Sequence, residues 1–218
     1  MDTSHAAPTA HVSTPADDQH FGQATGGKVG MWMFIAQDGM AFGGLLLAYG
    51  LMRVWADHWP AAGLKPTNVL GIGLTAVATF VLICSSVSMV MAVQAAQHSR
   101  KSATTMWLSL TILGGLSFLG IQAYEYTHLV KEGLTLTNGF VHGHQLHPLF
   151  GATFFVVTGF HGAHVTAGVI YLTCILFGAM KGKYTQGGLS YSPVELVGLF
   201  WHFVDLVWIL VFTFIYLL

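Results

Sequence analysis

TGFHGAHVTAG (Thr158–Gly168) decides the fold, because it sets two histidines inside an apolar run from Phe150 to Met180. In a helix, His161 and His164 share one face, with Gly162 beside them. Polar side chains at that depth need partners, and small residues let a neighbouring helix come close enough to supply them. The stretch therefore predicts a central packing helix in a membrane bundle.

The composition indicates a protein embedded in lipid. Of the 218 residues, 54% are hydrophobic and 8% are charged, and the mean hydropathy is +0.63. A soluble domain usually carries about 25% charged residues. A net charge of -1 without a basic patch gives no support to nucleic-acid binding. Cys84 and Cys174 lie in apolar runs outside any CxxC motif, so we expect them to be packing residues.

Five apolar runs follow a polar N-terminal segment. That segment, residues 1–28, has neither the basic start and apolar core of a secretory signal nor the arginines of a transit peptide, and we interpret it as a flexible tail. Each run can cross a bilayer core of about 30 Å as a helix of about 20 residues. We predict an all-α, five-helix transmembrane bundle over residues 29–218. Its helices correspond to Val29–Met52, Val69–Ala96, Ala103–His128, Phe150–Met180 and Pro193–Leu218.

The basic residues between the runs favour one orientation. Cytoplasmic loops carry an excess of Lys and Arg. With the N-terminus in the cytoplasm, five basic residues lie inside and three outside, namely Lys28, Arg100, Lys101, Lys181 and Lys183 against Arg53, Lys65 and Lys131. We therefore predict a cytoplasmic N-terminus and a periplasmic C-terminus.

An acid lies within the first run, where an ionisable group costs roughly a few kcal/mol. Gln37 and Asp38 stand about two turns into this run. Two roles are open for Asp38. Its carboxyl group can exchange protons or bind a lipid or partner, or it can be a neutral acid that is hydrogen-bonded to a neighbouring helix.

Two polar stripes follow the third and fifth runs at spacings of three and four residues. They comprise Gln122 and Glu125 on the third run and His202 and Asp205 on the fifth. We expect Glu125 to pair with His161 or His164, and Asp205 with His202. An acid and an imidazole that share a proton lower each other's cost of burial. The alternative is a buried network that only fixes helix register.

The histidines on different helices could in principle ligate haem. His161 or His164 together with His202 would supply two axial ligands, but the nearby acids would compete for the same imidazoles. We therefore predict no metal or haem in this chain. A haem-bearing membrane anchor remains one alternative, and a proton or ion carrier using the buried acids is another.

A second group of histidines lies in the loop FVHGHQLHPLF. It contains His142, His144 and His147, which is dense enough for a metal site but lacks a clear fourth ligand. We interpret these three residues as solvated loop histidines at the membrane surface.

Four motifs together resemble subunit III of the haem-copper cytochrome c oxidases. FIAQDGMAFGG lies in the first run, IQAYEY in the third, FHGAHVTAG in the fourth and FWHFVDLVW in the fifth. The last three match the family patterns QAxEY, FHGxHVxxG and WHFVDxVW, in the family's order. The resemblance covers residues 29–218. Over this range the chain is similar to the short, five-helix bacterial form of the subunit.

The resemblance implies an accessory subunit of a respiratory terminal oxidase in the bacterial inner membrane. The complex would oxidise cytochrome c or quinol, reduce oxygen to water and pump protons. In the family, haem and copper sit in subunits I and II, and subunit III holds neither. The implied partners are subunit I as the main contact, subunit II, small subunits, membrane lipids and a respiratory supercomplex. An accessory subunit of nitric oxide reductase is the alternative within the same fold.

The resemblance also implies roles for individual residues, none of them catalytic. Asp38 falls on the family's glutamate linked to sustained proton uptake, and it is one methylene shorter. The buried polar positions of the family fall on Gln122, Glu125, His161, His164, His202 and Asp205. Phospholipid headgroups would contact Arg53, Trp55 and Trp59, although interfacial anchoring of the aromatic residues explains them equally well.

Overall fold

Five long helices make up most of the structure. The computed structural model describes residues 26–61, 70–137, 139–141, 144–184 and 192–218. Within these ranges the helices are α1 (Gly26–Trp55), α2 (Ile72–Gln97), α3 (Lys101–Lys131), α4 (Pro148–Met180) and α5 (Ser192–Val211), the last continued by a π-helical segment (Phe212–Leu217). Each is long and apolar enough to cross a membrane. The predicted all-α, five-helix bundle is therefore confirmed, whereas the orientation of the termini stays a prediction. Residues 1–25 of the predicted tail lie outside the described residues.

Local sequence accounts for several helix ends. α4 begins at Pro148, whose missing N–H is not needed at the first helical position. His147 caps this end, because its Nδ1 accepts a hydrogen bond from the backbone N–H of Leu149 at 3.3 Å. Gly133 and Gly182 follow the ends of α3 and α4 with φ of 102° and 74°. Glycine enters this left-handed region without steric strain, so both helices can stop there.

Four of the helices form a ring, and α1 packs outside it. α2 lies along α3, α3 along α4, α4 along α5, and α5 returns to α2. α1 packs mainly against α5 and α4 and buries only Asp38, Phe42 and Tyr49. Most of its apolar surface is therefore free to contact lipid or another membrane protein.

Trp201 fills the centre of the ring. A Cβ on Gly115 would lie 2.6 Å from Cη2 of Trp201, and a Cβ on Gly168 would lie 3.0 Å from its six-membered ring. Both glycines therefore make room for the indole, which is 1% exposed. This close approach of α3 and α4 to α5 depends on residues without side chains, as is common between membrane helices.

Short segments close the end of the bundle at which α3 ends and α4 begins. Two-residue strands β1 (Phe140–Val141) and β2 (His144–Gln145) pair antiparallel, with Phe140 opposite Gln145. The backbone N–H of His147 donates to the carbonyl of Pro60 at 2.7 Å, which ties this loop to the segment after α1. Loops that carry such internal hydrogen bonds satisfy their own backbone groups.

Beyond α4, the chain folds back over the end of that helix. The Tyr184 phenol packs on Gly178, where a Cβ would lie 2.6 Å from the phenol oxygen. Burial is the main cause that raises the pKa of Tyr184, followed by the nearby Tyr171 and Cys174.

Candidate functional site

Asp38 and His164 form a polar contact between α1 and α4. Oδ1 of Asp38 lies 3.2 Å from Nε2 of His164, and Asp38 is 8% exposed. Nδ1 of His164 lies 2.8 Å from the carbonyl of Phe160. A carbonyl only accepts, so Nδ1 carries a hydrogen, and the contact with Asp38 then holds one further proton on either the acid or the imidazole. Oδ2 of Asp38 has no hydrogen-bond partner within the described residues.

Glu125 bonds to hydroxyl groups on two other helices. Thr75 of α2 donates to Oε1 and Tyr216 of the π-helical segment donates to Oε2, each at 3.1 Å. The expected pairing of Glu125 with His161 or His164 is therefore wrong. Glu125 lies six residues from the end of α3, about 9 Å deep, whereas His161 lies about 20 Å from the same end of the bundle.

Gln122 joins α3 to α4. Its amide donates to the carbonyl of Thr158 at 2.9 Å and to the hydroxyl of Tyr126 at 3.2 Å. Tyr126 and Thr158 also share a hydrogen bond of 2.6 Å. A Cβ on Gly162 would lie 2.8 Å from Oε1 of Gln122, so the glycine of the HGAH motif admits this amide. The predicted close approach of a neighbouring helix at Gly162 is thus made by α3, through the side chain of Gln122.

His161 is enclosed in the core. It is fully buried, and its Nε2 lies 3.2 Å from the carbonyl of Val204 on α5. Its ring packs on Trp208 at a centroid distance of 4.7 Å and meets the edge of Phe118 at 5.6 Å. Nδ1 has no hydrogen-bond partner within the described residues. The imidazole therefore joins α4 to α5 through one hydrogen bond and aromatic packing.

His202 and Asp205 meet α2 through one serine. Oγ of Ser86 lies 2.6 Å from Nδ1 of His202, and the same hydroxyl lies near the carboxyl group of Asp205. Asp205 is 6% exposed, and its Oδ1 makes no hydrogen bond within the described part of the chain. The expected direct pair of Asp205 and His202 is thus not formed, because His202 bonds to Ser86 on the facing helix, which also lies near Asp205.

α2 supplies further partners that the sequence reasoning missed. Trp201 donates to Oγ of Ser85 at 3.2 Å, and Trp208 donates to Oγ1 of Thr79 at 2.9 Å. α2 contains no acid or basic residue, so a search for ionisable groups passes over it. The available signal was the recurrence of hydroxyl residues in an apolar run, at Thr75, Thr79, Ser85 and Ser86.

The three residues expected at lipid headgroups differ in their surroundings. Arg53 donates to the carbonyl of Leu218, which joins the end of α1 to the end of the π-helical segment. Trp59 is half-buried, and its indole N–H donates to the phenol oxygen of Tyr49 at 3.1 Å. Trp55 is 79% exposed. Trp55 is thus the one of the three whose side chain is largely free to contact lipid.

The predicted surface histidines are only partly described. His142 and the side chain of His144 lie outside the described residues, and His147 serves as the N-cap of α4. Among the residues that the structure describes, no group of three or more His, Cys, Asp or Glu side chains is arranged to hold a metal ion.

The chain matches known proteins over nearly its whole length. The family model for cytochrome c oxidase subunit III matches residues 11–218. A protein of Corynebacterium diphtheriae named cytochrome c oxidase subunit 3 is 36% identical over 192 residues, which cover 87% of this chain and 86% of the relative. A probable quinol oxidase subunit 3 of Staphylococcus saprophyticus is 30% identical over 202 residues, covering 92% and 93%.

The family assignment agrees with the helices and with the positions of the four motifs. The five membrane-spanning helices together with these relatives identify a multi-pass protein of the bacterial inner membrane. The relatives include subunits of oxidases for both cytochrome c and quinol, so the comparisons support the shared assembly and leave the electron donor open. This chain belongs to the cytochrome c oxidase subunit III family, whose members are subunits of haem-copper oxidases.

Proposed function

We propose that this chain is an accessory, non-redox subunit III that stabilises subunit I of a proton-pumping terminal oxidase and supports its proton uptake, with phospholipid bound. The complex oxidises cytochrome c or quinol and reduces oxygen to water. Haem and copper belong to subunits I and II. Subunit II, small subunits and a respiratory supercomplex are further partners in this proposal.

This proposal rests on one observation: the buried polar side chains form hydrogen bonds from one helix to another. Gln122 bonds to α4, Glu125 to α2 and the π-helical segment, and His161 to α5. Groups that are already hydrogen-bonded to neighbouring helices hold a scaffold in one arrangement. This supports a rigid subunit that braces a partner rather than one that carries electrons.

The histidines also have protein partners at most of their ring nitrogens. Nε2 of His161 faces the carbonyl of Val204, and both nitrogens of His164 have contacts, with Phe160 and with Asp38. A haem iron needs an imidazole nitrogen with a free lone pair. Nδ1 of His161 has no partner within the described residues, but the ring is fully buried against Trp208 and Phe118, so these surroundings favour the non-redox role over the haem-bearing anchor.

The support of proton uptake is proposed for Asp38. Its contact with His164 holds one exchangeable proton near the middle of α1, and α1 is the helix with the most open surface. A proton that is shared between an acid and an imidazole can pass from one to the other along their hydrogen bond without movement of either helix. The same open surface of α1 is available to subunit I and to lipid.

A difference spectrum of the purified complex tests the proposal. The tagged chain is purified in mild detergent, and the reduced-minus-oxidised visible spectrum is recorded before and after its partners are removed. We expect haem absorbance in the complex and its loss with the partners. Haem that stays with the isolated chain contradicts the non-redox role. Copurification with nitric oxide reductase in place of an oxidase contradicts the choice of complex.

A further inference from the structure

Asp205 is a buried acid of α5 whose hydrogen bonding is incomplete. It is 6% exposed, its Oδ1 makes no hydrogen bond within the described residues, and none of the ion pairs found there includes it. A carboxylate that is buried without a counter-ion is far more costly than the neutral acid. We therefore expect the Asp205 carboxyl group to be protonated, so that its O–H needs an acceptor.

The described helices around Asp205 bring no fixed cation to it. α2, the facing helix, has no acidic or basic residue. Lys28 of α1 lies 3.0 Å from Glu195, which is ten residues before Asp205 on α5 and thus about 15 Å away. On α4, His161 bonds to a backbone carbonyl of α5. His202, one turn before Asp205, is the nearest ionisable residue along α5.

The hydroxyl group of Ser86 lies between Asp205 and His202. It is near the carboxyl group of Asp205 and 2.6 Å from Nδ1 of His202. A hydroxyl group donates one hydrogen bond and also accepts, so a protonated Asp205 can donate to Ser86 while Ser86 donates to Nδ1. Because Nδ1 then accepts, the neutral imidazole carries its hydrogen on Nε2. The three side chains thus form a chain of hydrogen bonds that runs in one direction.

His202 connects this chain of hydrogen bonds to a cleft of about 430 Å³ between α2 and α5. The cleft is lined by Gln94 and Gln97 of α2 and by Glu195, Leu199 and His202 of α5. His202 lies seven residues beyond Glu195 and thus about 10 Å deeper. Its Nε2 makes no hydrogen bond within the described part of the chain. A water molecule takes up about 30 Å³ in the liquid, so the cleft has room for water between the membrane surface and Nε2.

We propose that Asp205 is a second proton-holding site of this subunit, which exchanges its proton with water in the cleft through Ser86 and His202. For release, Nε2 of His202 gives its hydrogen to water, the Ser86 proton moves to Nδ1, and the Asp205 proton moves to Ser86. The products are an ionised Asp205, an intact hydroxyl group, a neutral imidazole with its hydrogen on Nδ1, and one proton in water. Uptake is the reverse of these steps.

This site is separate from the contact between Asp38 and His164, which joins α1 to α4. The cleft opens where α2 ends and α5 starts, at the end of the bundle that we predict to be cytoplasmic. The route is formed by this chain alone, so it does not depend on which oxidase the chain serves. Its test involves no turnover, and its failure would leave the role proposed for Asp38 unaffected.

Hydrogen–deuterium exchange, followed by infrared spectroscopy of the intact complex, tests this route. The C=O band of a protonated carboxyl group shifts when its hydrogen is replaced by deuterium, so transfer into heavy water shows how fast a buried acid exchanges. We expect a carboxyl band that Asp205→Asn removes and that shifts in the unmodified complex. Ser86→Ala should slow this shift roughly ten-fold, because exchange then requires local opening of the bundle.

Three further variants separate loss of the route from loss of the fold. Ser86→Thr keeps the hydroxyl group and should exchange at the normal rate, as should Ser117→Ala, which removes an exposed hydroxyl group of α3. Leu199→Trp narrows the cleft without changing the three hydrogen-bonded groups, and it should slow exchange as Ser86→Ala does. A loosened bundle would instead exchange faster. Exchange at the normal rate or faster in Ser86→Ala, or the absence of a carboxyl band that depends on Asp205, overturns the proposal.

Discussion

Asp38 and His164, 126 positions apart in the chain, meet at 3.2 Å near the midpoints of α1 and α4. The contact joins the outer helix to the ring at a depth where water is absent. Separating the two groups would leave an acid and an imidazole in hydrocarbon, which is costly for each. This pair therefore joins α1 to α4, and it is the pair on which our proposal for proton uptake rests.

Replacing Asp38 tests its proposed part in proton uptake. In Asp38→Asn the amide can still hydrogen-bond His164 but cannot share an exchangeable proton with it. We expect the initial oxygen-consumption rate of the complex to stay near normal while activity decays earlier during turnover, measured with an oxygen electrode. Gln37→Ala, at the exposed neighbouring position, should behave as the unmodified protein. An unchanged turnover lifetime in Asp38→Asn removes Asp38 from the mechanism.

Glu125 should tolerate an amide and not a methyl group. Glu125→Gln keeps an acceptor for Tyr216 and can donate to Thr75, so its cost should stay within about 1 kcal/mol. Glu125→Ala leaves the buried Tyr216 hydroxyl without its acceptor, removes one of the two acceptors near the Thr75 hydroxyl and opens a cavity, which together cost about 2–4 kcal/mol. Thermal dissociation of the complex in detergent measures both. Equal losses in the two variants would argue against hydrogen bonding as the role of Glu125.

Two glycines of α3 should differ in their tolerance of alanine, because only Gly115 lies against Trp201. Gly115→Ala would place a Cβ 2.6 Å from Trp201, and overpacking of this kind costs about 1–3 kcal/mol. Gly120→Ala on the same helix meets no atom within 4 Å, so the better helix propensity of alanine should leave stability equal or up to about 1 kcal/mol higher. The same thermal assay checks the pair. A stable Gly115→Ala protein would show that the ring can expand around the indole.

Ser86 should contribute more to stability than its size indicates. Ser86→Ala removes the hydroxyl that bonds to His202 and lies near Asp205, and leaving a buried polar group unsatisfied costs about 1–3 kcal/mol. Ser117 is a matched control, because its exposed hydroxyl donates only to the carbonyl of Leu113 in its own helix. Ser117→Ala should change stability by less than about 0.5 kcal/mol. Similar losses in the two variants would mean that water or lipid replaces the Ser86 hydroxyl.

The sequence predicts the helices well because its apolar runs are long and interrupted by polar turns. Length and hydropathy are enough to place five membrane spans, and the boundaries differ from the structure by only a few residues, as for Val29–Met52 against Gly26–Trp55. The buried polar residues are also recognisable, since an acid such as Glu125 stands out in an apolar run. The sequence does not show, however, which side chains these buried residues bond to.

The partners depend on depth and register, which the sequence does not state. Glu125 and His161 both face the interior, but they lie at different distances from the end of the bundle. Tyr216 reaches Glu125 from the end of α5, where the helix widens to a π-helical segment that no residue pattern announces. Thr75 and Ser86 were overlooked because a single hydroxyl in an apolar helix usually bonds to its own backbone.

The position of α1 has a consequence for how the protein is assembled in the membrane. α1 is made before the two helices that hold it, since its main neighbours are α4 and α5. Asp38 cannot contact His164 until α4 has entered the bilayer, and Lys28 cannot form its ion pair with Glu195 until α5 has been made. Until the last helices arrive, α1 therefore lacks both of these polar contacts with the rest of the bundle. Truncation before α4 should then leave a fragment that is cleared by membrane proteases rather than a smaller stable bundle.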